Sequence, residues 1–237
     1  MRYSIYSRWI QARPALFAAA IAALIVAPIF SSKADVEAGI TAARHGNFKM
    51  AHAEFLREAR LGNPNAQVLL GELYHKGRGV EQSYAEAAKW YRLAADGGHP
   101  VAQYMLGDYY RRGLGVDRDM PQAFRWYHQA ANQDLALAQY ALAIHYRDGI
   151  GVPANQENAT RWFEKAARQG LAEAQINLGI RFWRGKDVQE DKILAYAWMR
   201  KAAGQGEISA VQTLREFEKK LSQAEVQAGK DLSLTLN

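Results

Sequence analysis

Residues 66–80 read AQVLLGELYHKGRGV, and the same pattern returns three more times at a constant spacing of 36 residues. The later copies are AQYMLGDYYRRGLGV, AQYALAIHYRDGIGV and AQINLGIRFWRGKDV, which begin at Ala102, Ala138 and Ala174. Each copy is followed by a second half that ends in WYRLAA, WYHQAA, WFEKAA or WMRKAA. A fixed period in this range is typical of a stacked repeat array. The sequence therefore predicts one structural unit that is repeated four times.

The first half of each copy has the spacing of an amphipathic helix. In the first copy Ala66, Leu70 and Tyr74 fall four residues apart, so they share one face of a helix. A glycine follows in every copy and can end the helix in the left-handed conformation without steric cost. These glycines are Gly77, Gly113, Gly149 and Gly185. We therefore expect the first helix of each repeat to end there.

The second half of each copy begins with a side chain that is a good N-cap, because its oxygen can accept a hydrogen bond from a backbone amide of the helix. The four N-caps are Ser83, Asp119, Asn155 and Asp191. In the first two copies Glu86 and Gln122 stand three residues later, which is the spacing of a capping box. Each repeat is thus predicted to be a pair of antiparallel helices.

Small and large residues occupy fixed positions of the repeat. The small residues are Gly71, Gly107, Ala143 and Gly179, and the tryptophans are Trp90, Trp126, Trp162 and Trp198. The small residues would let helix axes approach closely, and the indole rings would fill the gaps. One helix pair cannot bury such a face alone, whereas stacked neighbours can. We expect the tryptophans to pack in the core and not to form a sugar-stacking ladder.

The combined columns A-x-x-x-L-G-x-x-Y-x-x-G-x-G-V and A-x-x-W-[YFM]-x-x-A-A resemble the Sel-one-like repeat (SLR) family, a relative of the tetratricopeptide repeat. The resemblance spans residues 66–209. It implies an all-α, right-handed superhelical solenoid that recognises other proteins, and it implies no single activity. The last copy departs from the pattern at Asp187 and Met199, which leaves the conformation of the fourth loop open.

Residues 1–34 have the three parts of a secretory signal peptide. Three arginines precede the apolar run PALFAAAIAALIVAPIF, and the small-x-small motif Ser32-Lys33-Ala34 follows it. We expect cleavage after Ala34, which would make the protein periplasmic or secreted. The alternative is an uncleaved inner-membrane anchor at residues 15–30, although these 16 residues with Pro28 are short against the roughly 20 of a membrane-spanning helix. In both cases the repeats lie outside the cytoplasm.

The net charge of +6 belongs largely to this N-terminal segment. The segment holds four basic residues and no acidic one, which leaves 26 basic and 24 acidic side chains after residue 34. A nucleic-acid partner therefore loses its main compositional support. The chain has no cysteine, which excludes disulfides, thiol nucleophiles and thiolate zinc sites. Stability outside the cell would have to come from packing alone.

The 36-residue period also defines the repeat boundaries. We assign the four repeats to residues 66–101, 102–137, 138–173 and 174–209. Residues 35–65 form a degenerate N-terminal capping repeat, because Ala51 and Phe55 stand 36 residues before Ala87 and Tyr91 while the first half is shortened. A terminal unit of this kind is expected because it has one neighbour instead of two.

Residues 210–237 are predicted to form C-terminal capping helices and a tail. Ser222 and Glu225 have the spacing of a capping box, which would begin a short closing helix that ends at about Lys230. Residues 231–237 are expected to fray, as chain termini commonly do.

Motifs of catalytic chemistry are missing from the sequence. The six histidines are scattered, and none belongs to an H-E-x-x-H pattern. The sequence has no G-x-S-x-G elbow, and no Lys-Ser or Lys-Thr pair follows the loop glycines as in a phosphate loop. We predict that the protein is not an enzyme and uses no metal or other cofactor.

The first helices of the repeats would line the concave face of such a solenoid, and their last turns carry basic and aromatic side chains. The candidate partner-binding groove consists of Lys76, Tyr109, Arg111, Arg112, Arg147, Trp183 and Arg184. Arginine forks on carboxylates, together with aromatic contacts, would suit an acidic or C-terminal peptide segment. The competing interpretation is that the basic residues stay solvated and only complement the helix macrodipole.

These observations favour a non-enzymatic scaffold or regulator in the bacterial cell envelope that binds a protein or peptide in the concave groove. The alternative is a binder of peptidoglycan or another carbohydrate, which would need Tyr109 and Trp183 exposed side by side. A hydrolase is a third hypothesis, suggested by cysteine-rich relatives of the family, but this chain lacks their cysteines. Membrane contact is expected only through the N-terminal segment, if it is not cleaved.

Overall fold

The computed structural model describes residues 36–185 and 187–236. The predicted signal peptide or anchor at residues 1–34 lies outside the described residues. The described residues form α-helices and no strand. The helices are α1 Glu37–Arg44, α2 Phe48–Arg60, α3 Pro64–Lys76, α4 Tyr84–Asp96, α5 Pro100–Arg112, α6 Met120–Asn132, α7 Ala136–Asp148, α8 Gln156–Arg168, α9 Ala172–Arg184, α10 Lys192–Gly204, α11 Ile208–Glu218 and α12 Gln223–Thr235. None of these described helices combines the length and the apolar character needed to cross a bilayer.

The chain divides into two compact units at Gly97 and Gly98. In the first unit, α1 to α4 pack in chain order, each helix against the next. In the second unit, α5 to α11 pack in the same way, and α12 returns to pack against α10. The predicted all-α architecture of stacked antiparallel helix pairs is confirmed.

The predicted helix ends are confirmed at both kinds of boundary. The side chains of Ser83, Asp119, Asn155 and Asp191 each accept a hydrogen bond from the amide three residues later. The glycines that end α3, α5, α7 and α9 have φ of 65°, 70°, 68° and 58°. At the chain end, Ser222 and Glu225 form the predicted capping box.

The capping boxes expected in the first two repeats are not formed. The Glu86 carboxylate instead pairs with Lys89, and the Gln122 side-chain carbonyl accepts from Nε of Arg125 at 3.4 Å. Both side chains therefore point along the helix and not back to the N-cap amide. The prediction was wrong because a basic residue three positions later competes for the same oxygen.

Two aspartates take the left-handed conformation that glycines hold in the other repeats. Asp187 has φ of 66°, close to the 74°, 64° and 71° of its glycine counterparts Gly79, Gly115 and Gly151. Asp134 has φ of 59°, where the other repeats have glycine. Aspartate tolerates this region better than most residues because its short side chain can bond locally. The fourth loop therefore keeps the same backbone conformation at Asp187 without its glycine.

Four of the most deeply buried large side chains follow the tryptophans by one residue. They are Tyr91, Tyr127, Phe163 and Met199, at 0 to 2% exposure. Trp198 is also buried, whereas Trp90, Trp126 and Trp162 are only partly buried. A Cβ added to Gly107 would lie 2.8 Å from the Tyr127 ring. The small residue of the first helix thus receives the aromatic ring of the second, and the tryptophans pack at the edge of the core.

A set of buried glutamines connects successive helix pairs, which the sequence reasoning did not anticipate. Nε2 of Gln139 donates to the Ala131 carbonyl at 3.3 Å, and Nε2 of Gln175 donates to that of Ala167 at 3.1 Å. Nε2 of Gln169 in turn donates to Oε1 of Gln139 at 2.8 Å. The signal was present in the sequence, because glutamine follows the first alanine in all four copies. These bonds add a side-chain donor to carbonyl groups at the ends of the second helices, which also accept from the backbone amides of Asp134 and Gly170.

The C-terminal helix is longer than predicted. α12 ends at Thr235 and not at Lys230, so the expectation of a frayed tail from residue 231 is wrong. The Lys201 ammonium donates to the Leu236 carbonyl, and Gly229 is buried against the Tyr196 ring. Contacts with α10 therefore order the turns that the sequence alone suggested would fray.

Candidate functional site

The predicted groove residues fall in both units. Lys76 ends α3 in the first unit and pairs with Glu72 one turn earlier. The other six lie in the second unit, at or near the ends of α5, α7 and α9. Within the second unit, the structure brings several of these residues into one connected set of polar contacts.

The centre of this set is a buried carboxylate that holds two arginines. Asp108 is 7% exposed. Nε of Arg111 lies 3.0 Å from its Oδ1, and Nη1 of Arg112 lies 3.3 Å from its Oδ2. The Arg111 side chain is only 18% exposed, so the expectation that it is solvated is wrong. Its charge is neutralised within α5 before any partner arrives.

Tyr104 and Tyr127 lie beside this ion pair, and Tyr140 lies in the next helix pair. The Tyr127 hydroxyl of α6 hydrogen-bonds Arg111, and the rings of Tyr104 and Tyr127 lie 5.6 Å apart. Burial, and after it the charge of Asp108, raises the pKa of both tyrosines. Burial and the charge of Glu173 raise the pKa of Tyr140 in α7 to about 12. All three hydroxyls are therefore neutral at physiological pH and available as hydrogen-bond donors.

The same arrangement continues into α7 and α9. Arg147 holds Asp148 with two parallel bonds, from Nε at 2.8 Å and from Nη2 at 2.7 Å. Its Nη1 donates to Oδ1 of Asn177 in α9 at 3.1 Å. The Nδ2 group of Asn177 donates to the Tyr140 hydroxyl at 3.4 Å and to the Glu173 carbonyl at 2.9 Å. Side chains of α7 and α9 are thus linked directly.

We call the whole set the polar cluster. Its members are Tyr104, Asp108, Arg111, Tyr127, Tyr140, Arg147, Glu173 and Asn177. Glu173 is 4% exposed, and its charge acts on the hydroxyls of Tyr104 and Tyr140. The set therefore contains two buried carboxylates and two arginines, so the second unit presents a charge-balanced surface here and not the uniformly basic one that the arginines alone suggested.

Two aromatic residues of the predicted groove are less accessible than expected. Tyr109 is fully buried, at 0% exposure, so it cannot contact a partner and its assignment to the groove is wrong. Trp183 is partly buried, because Phe217 of α11 stacks on its ring at 3.7 Å with the planes 5° apart. The two residues are therefore not the exposed pair that the carbohydrate hypothesis required. Arg184, one residue further on, is exposed.

The sequence analysis missed the buried members of the polar cluster. Tyr104 and Tyr140 stand 36 residues apart, so the repeat already placed them on the same face of neighbouring helices. Asp108, Glu173 and Asn177 carry no comparable signal, because each of them occurs in a single repeat at its position. Only the packing of α5, α7 and α9 brings these residues together.

The described residues hold no group of three or more histidine, cysteine or acidic side chains arranged to bind a metal ion. His145 is buried, and His128 and His52 contact aromatic rings.

Comparison with known proteins gives a consistent result for the whole repeat region. The Sel1 repeat family model matches residues 64–99, 100–135, 136–171 and 172–207, in phase with the periodicity described above and two residues ahead of it. These matches cover more than half of the chain. No curated protein sequence matches the chain significantly.

Two solved structures share both fold and detectable sequence similarity with the chain. A Sel1 repeat protein from Oxalobacter formigenes is 28% identical with a TM-score of 0.73, over 85% of this chain and 84% of that one. A protective antigen with an SLR fold, present in uropathogenic Escherichia coli strains, is 29% identical with a TM-score of 0.73. That match covers 82% of this chain and 43% of the antigen.

Proposed function

Because the chain belongs to the Sel1 repeat family, whose members generally mediate protein–protein interaction, we propose that it is a non-enzymatic scaffold or regulator of the bacterial cell envelope. It binds a protein or peptide partner on the face of the second unit that carries the polar cluster. The family is typically a non-catalytic repeat scaffold, which agrees with a role in assembly or regulation.

The observation that carries this proposal is the convergence of side chains from α5, α6, α7 and α9 on one polar cluster. The hydroxyls of Tyr127 and Tyr140 and the guanidinium groups of Arg111 and Arg147 are held there by fixed partners. Tyr127 is buried and supports the cluster from inside, whereas Tyr140 and Arg147 are partly exposed. Preorganised side chains of this kind bind a partner without a large loss of side-chain entropy. Tyrosine and arginine are also the side chains most often responsible for binding energy at protein interfaces.

The charge pattern defines the kind of partner. Asp108 neutralises Arg111, and Asp148 neutralises Arg147, whereas Arg184 is exposed at the same end of the helices. A partner surface of mixed charge complements this arrangement better than a strongly acidic tail does. We therefore expect binding to weaken only modestly when salt is raised, because few uncompensated charges are involved.

The envelope location rests on the sequence of residues 1–34, which has the composition of a signal peptide or an N-terminal anchor. A fusion of alkaline phosphatase after residue 237 tests it, because this enzyme is active only outside the cytoplasm. The full-length fusion should be active and a fusion that lacks residues 2–34 inactive. Equal activity of the two fusions would contradict export.

Site-specific photo-crosslinking of the full chain in cells tests the binding face. A photoreactive amino acid replaces Arg112, which pairs with Asp108 of the polar cluster, or the exposed Arg184 at the end of α9. Lys165 on the exposed side of α8 serves as the matched control. We expect one discrete protein adduct from positions 112 and 184 and none from position 165. Adducts from position 165 alone would place the binding face on the second helices. Adducts that contain glycan and no protein would favour the carbohydrate alternative.

A further inference from the structure

A buried histidine in α7 stands where the preceding repeat has a tyrosine. His145 is 2% exposed and lies 36 residues after Tyr109. Its ring meets the Tyr127 ring edge-on at 5.2 Å and lies 6.3 Å from the Phe124 ring, both in α6. An imidazole in such an aromatic setting has lost nearly all of its contact with water.

The hydrogen bonds of His145 define its tautomer. Nδ1 lies 2.7 Å from the carbonyl oxygen of Ile150, and a carbonyl can only accept, so Nδ1 carries the proton. Nε2 therefore holds a lone pair, and it is buried without a hydrogen-bond partner. A proton added at Nε2 would create a buried N–H group and a positive charge with no acceptor, which is a costly arrangement.

The charged and titratable groups around His145 come from three helices. The Arg111 guanidinium of α5 opposes a second positive charge, whereas Asp148 on α7 itself favours it. Tyr127 of α6 stays neutral because its pKa is raised by burial. Burial is the largest effect and, with Arg111, lowers the pKa of His145 to about 4, against the opposing Ile150 carbonyl and Asp148.

The loop between α7 and α8 is folded onto this histidine. The Ile150 carbonyl accepts from the ring, and the Ile150 amide donates to the His145 carbonyl at 3.0 Å. The Asn155 amide at the end of the loop donates to the Tyr146 carbonyl at 2.8 Å. Nε2 has no hydrogen-bond partner inside, so a ring protonated there is stabilised by contact with water. The loop is the non-helical segment bonded to this ring, and its displacement is the opening that we consider.

We propose that His145 is a pH-sensitive latch that keeps the loop at residues 149–155 closed near neutral pH and releases it in acid. The proposal goes beyond the binding function and stands without it. It concerns local opening of one loop, so it differs from general acid unfolding of the second unit.

The loop between α5 and α6 is a control within the same molecule. The Leu114 amide donates to the Tyr109 carbonyl at 3.0 Å, and the Asp119 amide donates to the Tyr110 carbonyl at 3.0 Å. These are the backbone bonds that Ile150 and Asn155 make one repeat later. Tyr109 does not take up a proton in this pH range, so this loop lacks the latch.

Hydrogen exchange followed by NMR on the full chain at pH 7 and pH 5 tests the proposal. With a pKa of 6.5 in the open loop and about 4 in the closed one, the open population rises about twenty-fold between these pH values. After correction for intrinsic exchange, the amides of Ile150 and Asn155 should show this rise, and those of Leu114 and Asp119 should not. An equal rise in both loops would overturn the latch in favour of general unfolding.

His99 is the second histidine whose pKa burial lowers to about 4, against an opposing backbone hydrogen bond. Its Nδ1 accepts from the Ala102 amide at 3.4 Å at the start of α5. The exchange of the Ala102 amide therefore reports acid effects at His99 separately. A pH response confined to Ala102 would assign the acid sensitivity to His99 and refute the latch.

Two variants and one direct titration complete the test. H145Y introduces the residue of the preceding repeat, and H145Q keeps an amide donor for the Ile150 carbonyl. Each should remove the pH dependence at Asn155, and either variant suffices if the other does not fold. In the unaltered protein, the ¹⁵N shifts of His145 should show a neutral ring protonated at Nδ1 down to about pH 5. Titration of His145 near 6.5, or a pH dependence that survives in H145Q, would refute the proposal.

Discussion

The helix pairs α5–α6 and α7–α8 have the same backbone and different interiors. Tyr104 packs on Tyr127 with ring centres 5.6 Å apart, and their counterparts Tyr140 and Phe163 lie 5.7 Å apart. At the next turn, however, the buried Asp108 of α5 is replaced by the buried Ile144 of α7. The two helix pairs therefore share the spacing of these rings and differ in the polar groups beside them.

The difference determines where each arginine turns. Arg111 remains close to α5, because Asp108 lies within its reach and Tyr127 offers a hydroxyl. Arg147 has isoleucine in place of that carboxylate, so it turns to Asp148 and to Asn177 of α9. The same residue type at the same repeat position is a buried internal partner in one pair and a link between helix pairs in the next.

Replacement of Arg111 with glutamine should have the largest effect. It leaves the Asp108 carboxylate buried with only Arg112 nearby, and loss of one partner of a buried ion pair costs about 3 to 5 kcal/mol. The matched variant Arg147→Gln removes a pair that is 30% and 39% exposed, for which about 0 to 1 kcal/mol is expected. It also removes the bond to Asn177, for which about 1 kcal/mol is expected. Urea unfolding followed by circular dichroism measures both free energies.

A double variant sharpens this first comparison. Asp108→Ile gives α5 the residue that α7 has at this position, and Arg111→Leu removes the charged partner with it. Replacement of a whole buried pair by apolar residues is often nearly neutral. It should therefore be more stable than Arg111→Gln alone. A double variant that is less stable than the single one would show that the ion pair itself, and not the uncompensated carboxylate, determines the cost.

Replacement of Gly107 with alanine should have the next largest effect. The new Cβ would lie 2.8 Å from the Tyr127 ring and 3.2 Å from the Ala123 carbonyl, and overpacking of this kind costs about 1 to 3 kcal/mol. The third repeat accepts Ala143 at this position beside Phe163, which has no hydroxyl. Because the bond to Arg111 fixes the Tyr127 ring, we expect Gly107→Ala to cost less in a Tyr127→Phe background. Equal costs in both backgrounds would refute this explanation of why Gly107 occurs with Tyr127 and Ala143 with Phe163.

Both helix pairs have a glutamine at the same repeat position, and we expect the one in α7, Gln139, to contribute to stability. Gln139 is fully buried, and it bonds both the Ala131 carbonyl and the Gln169 amide. Gln139→Leu leaves these groups without that partner, for a cost of about 1 to 3 kcal/mol. The addition of Gln169→Leu should cost little further, because its partner is already absent. Additive losses in the thermal unfolding of the two variants would show that the glutamines act independently.

The sequence predicted the boundaries of the helix pairs well, because residues close in sequence determine where each helix begins and ends. N-cap side chains and left-handed glycines act within a few residues. The roles of Ser83 as an N-cap and of Gly113 as a helix end could therefore be predicted from the sequence. The phase of the repeat also placed the rings of Tyr127 and Phe163 in equivalent positions. The length of α12 could not be read in this way, because contacts with α10 order its last turns.

The candidate site was predicted less well, because burial at a repeat position depends on the neighbouring helices. The last turn of α5 looked like a solvated basic end, yet Tyr109 is fully buried and Asp108 covers Arg111. Arg147 stays a predicted residue of this face, and its link to Asn177 could not be predicted because it depends on the distance between α7 and α9. A single sequence with a clear period thus predicts where each side chain lies in the repeat, but it does not predict which residues that side chain contacts.

The smallest change in stability should come from an exposed ion pair in α8, the second helix of its repeat. Its two residues have a spacing like that of the ion pairs in α5. Arg161 and Glu157 of α8 are one helical turn apart, with side chains 67% and 73% exposed, so solvent screens their attraction. Arg161→Gln should therefore change the free energy of unfolding by at most about 0.5 kcal/mol, against several for Arg111→Gln. Repetition of both measurements in 1 M salt separates screening from burial, since only the exposed pair should lose its contribution. If Arg161→Gln cost as much as Arg111→Gln, burial would not be the property that distinguishes the two ion pairs.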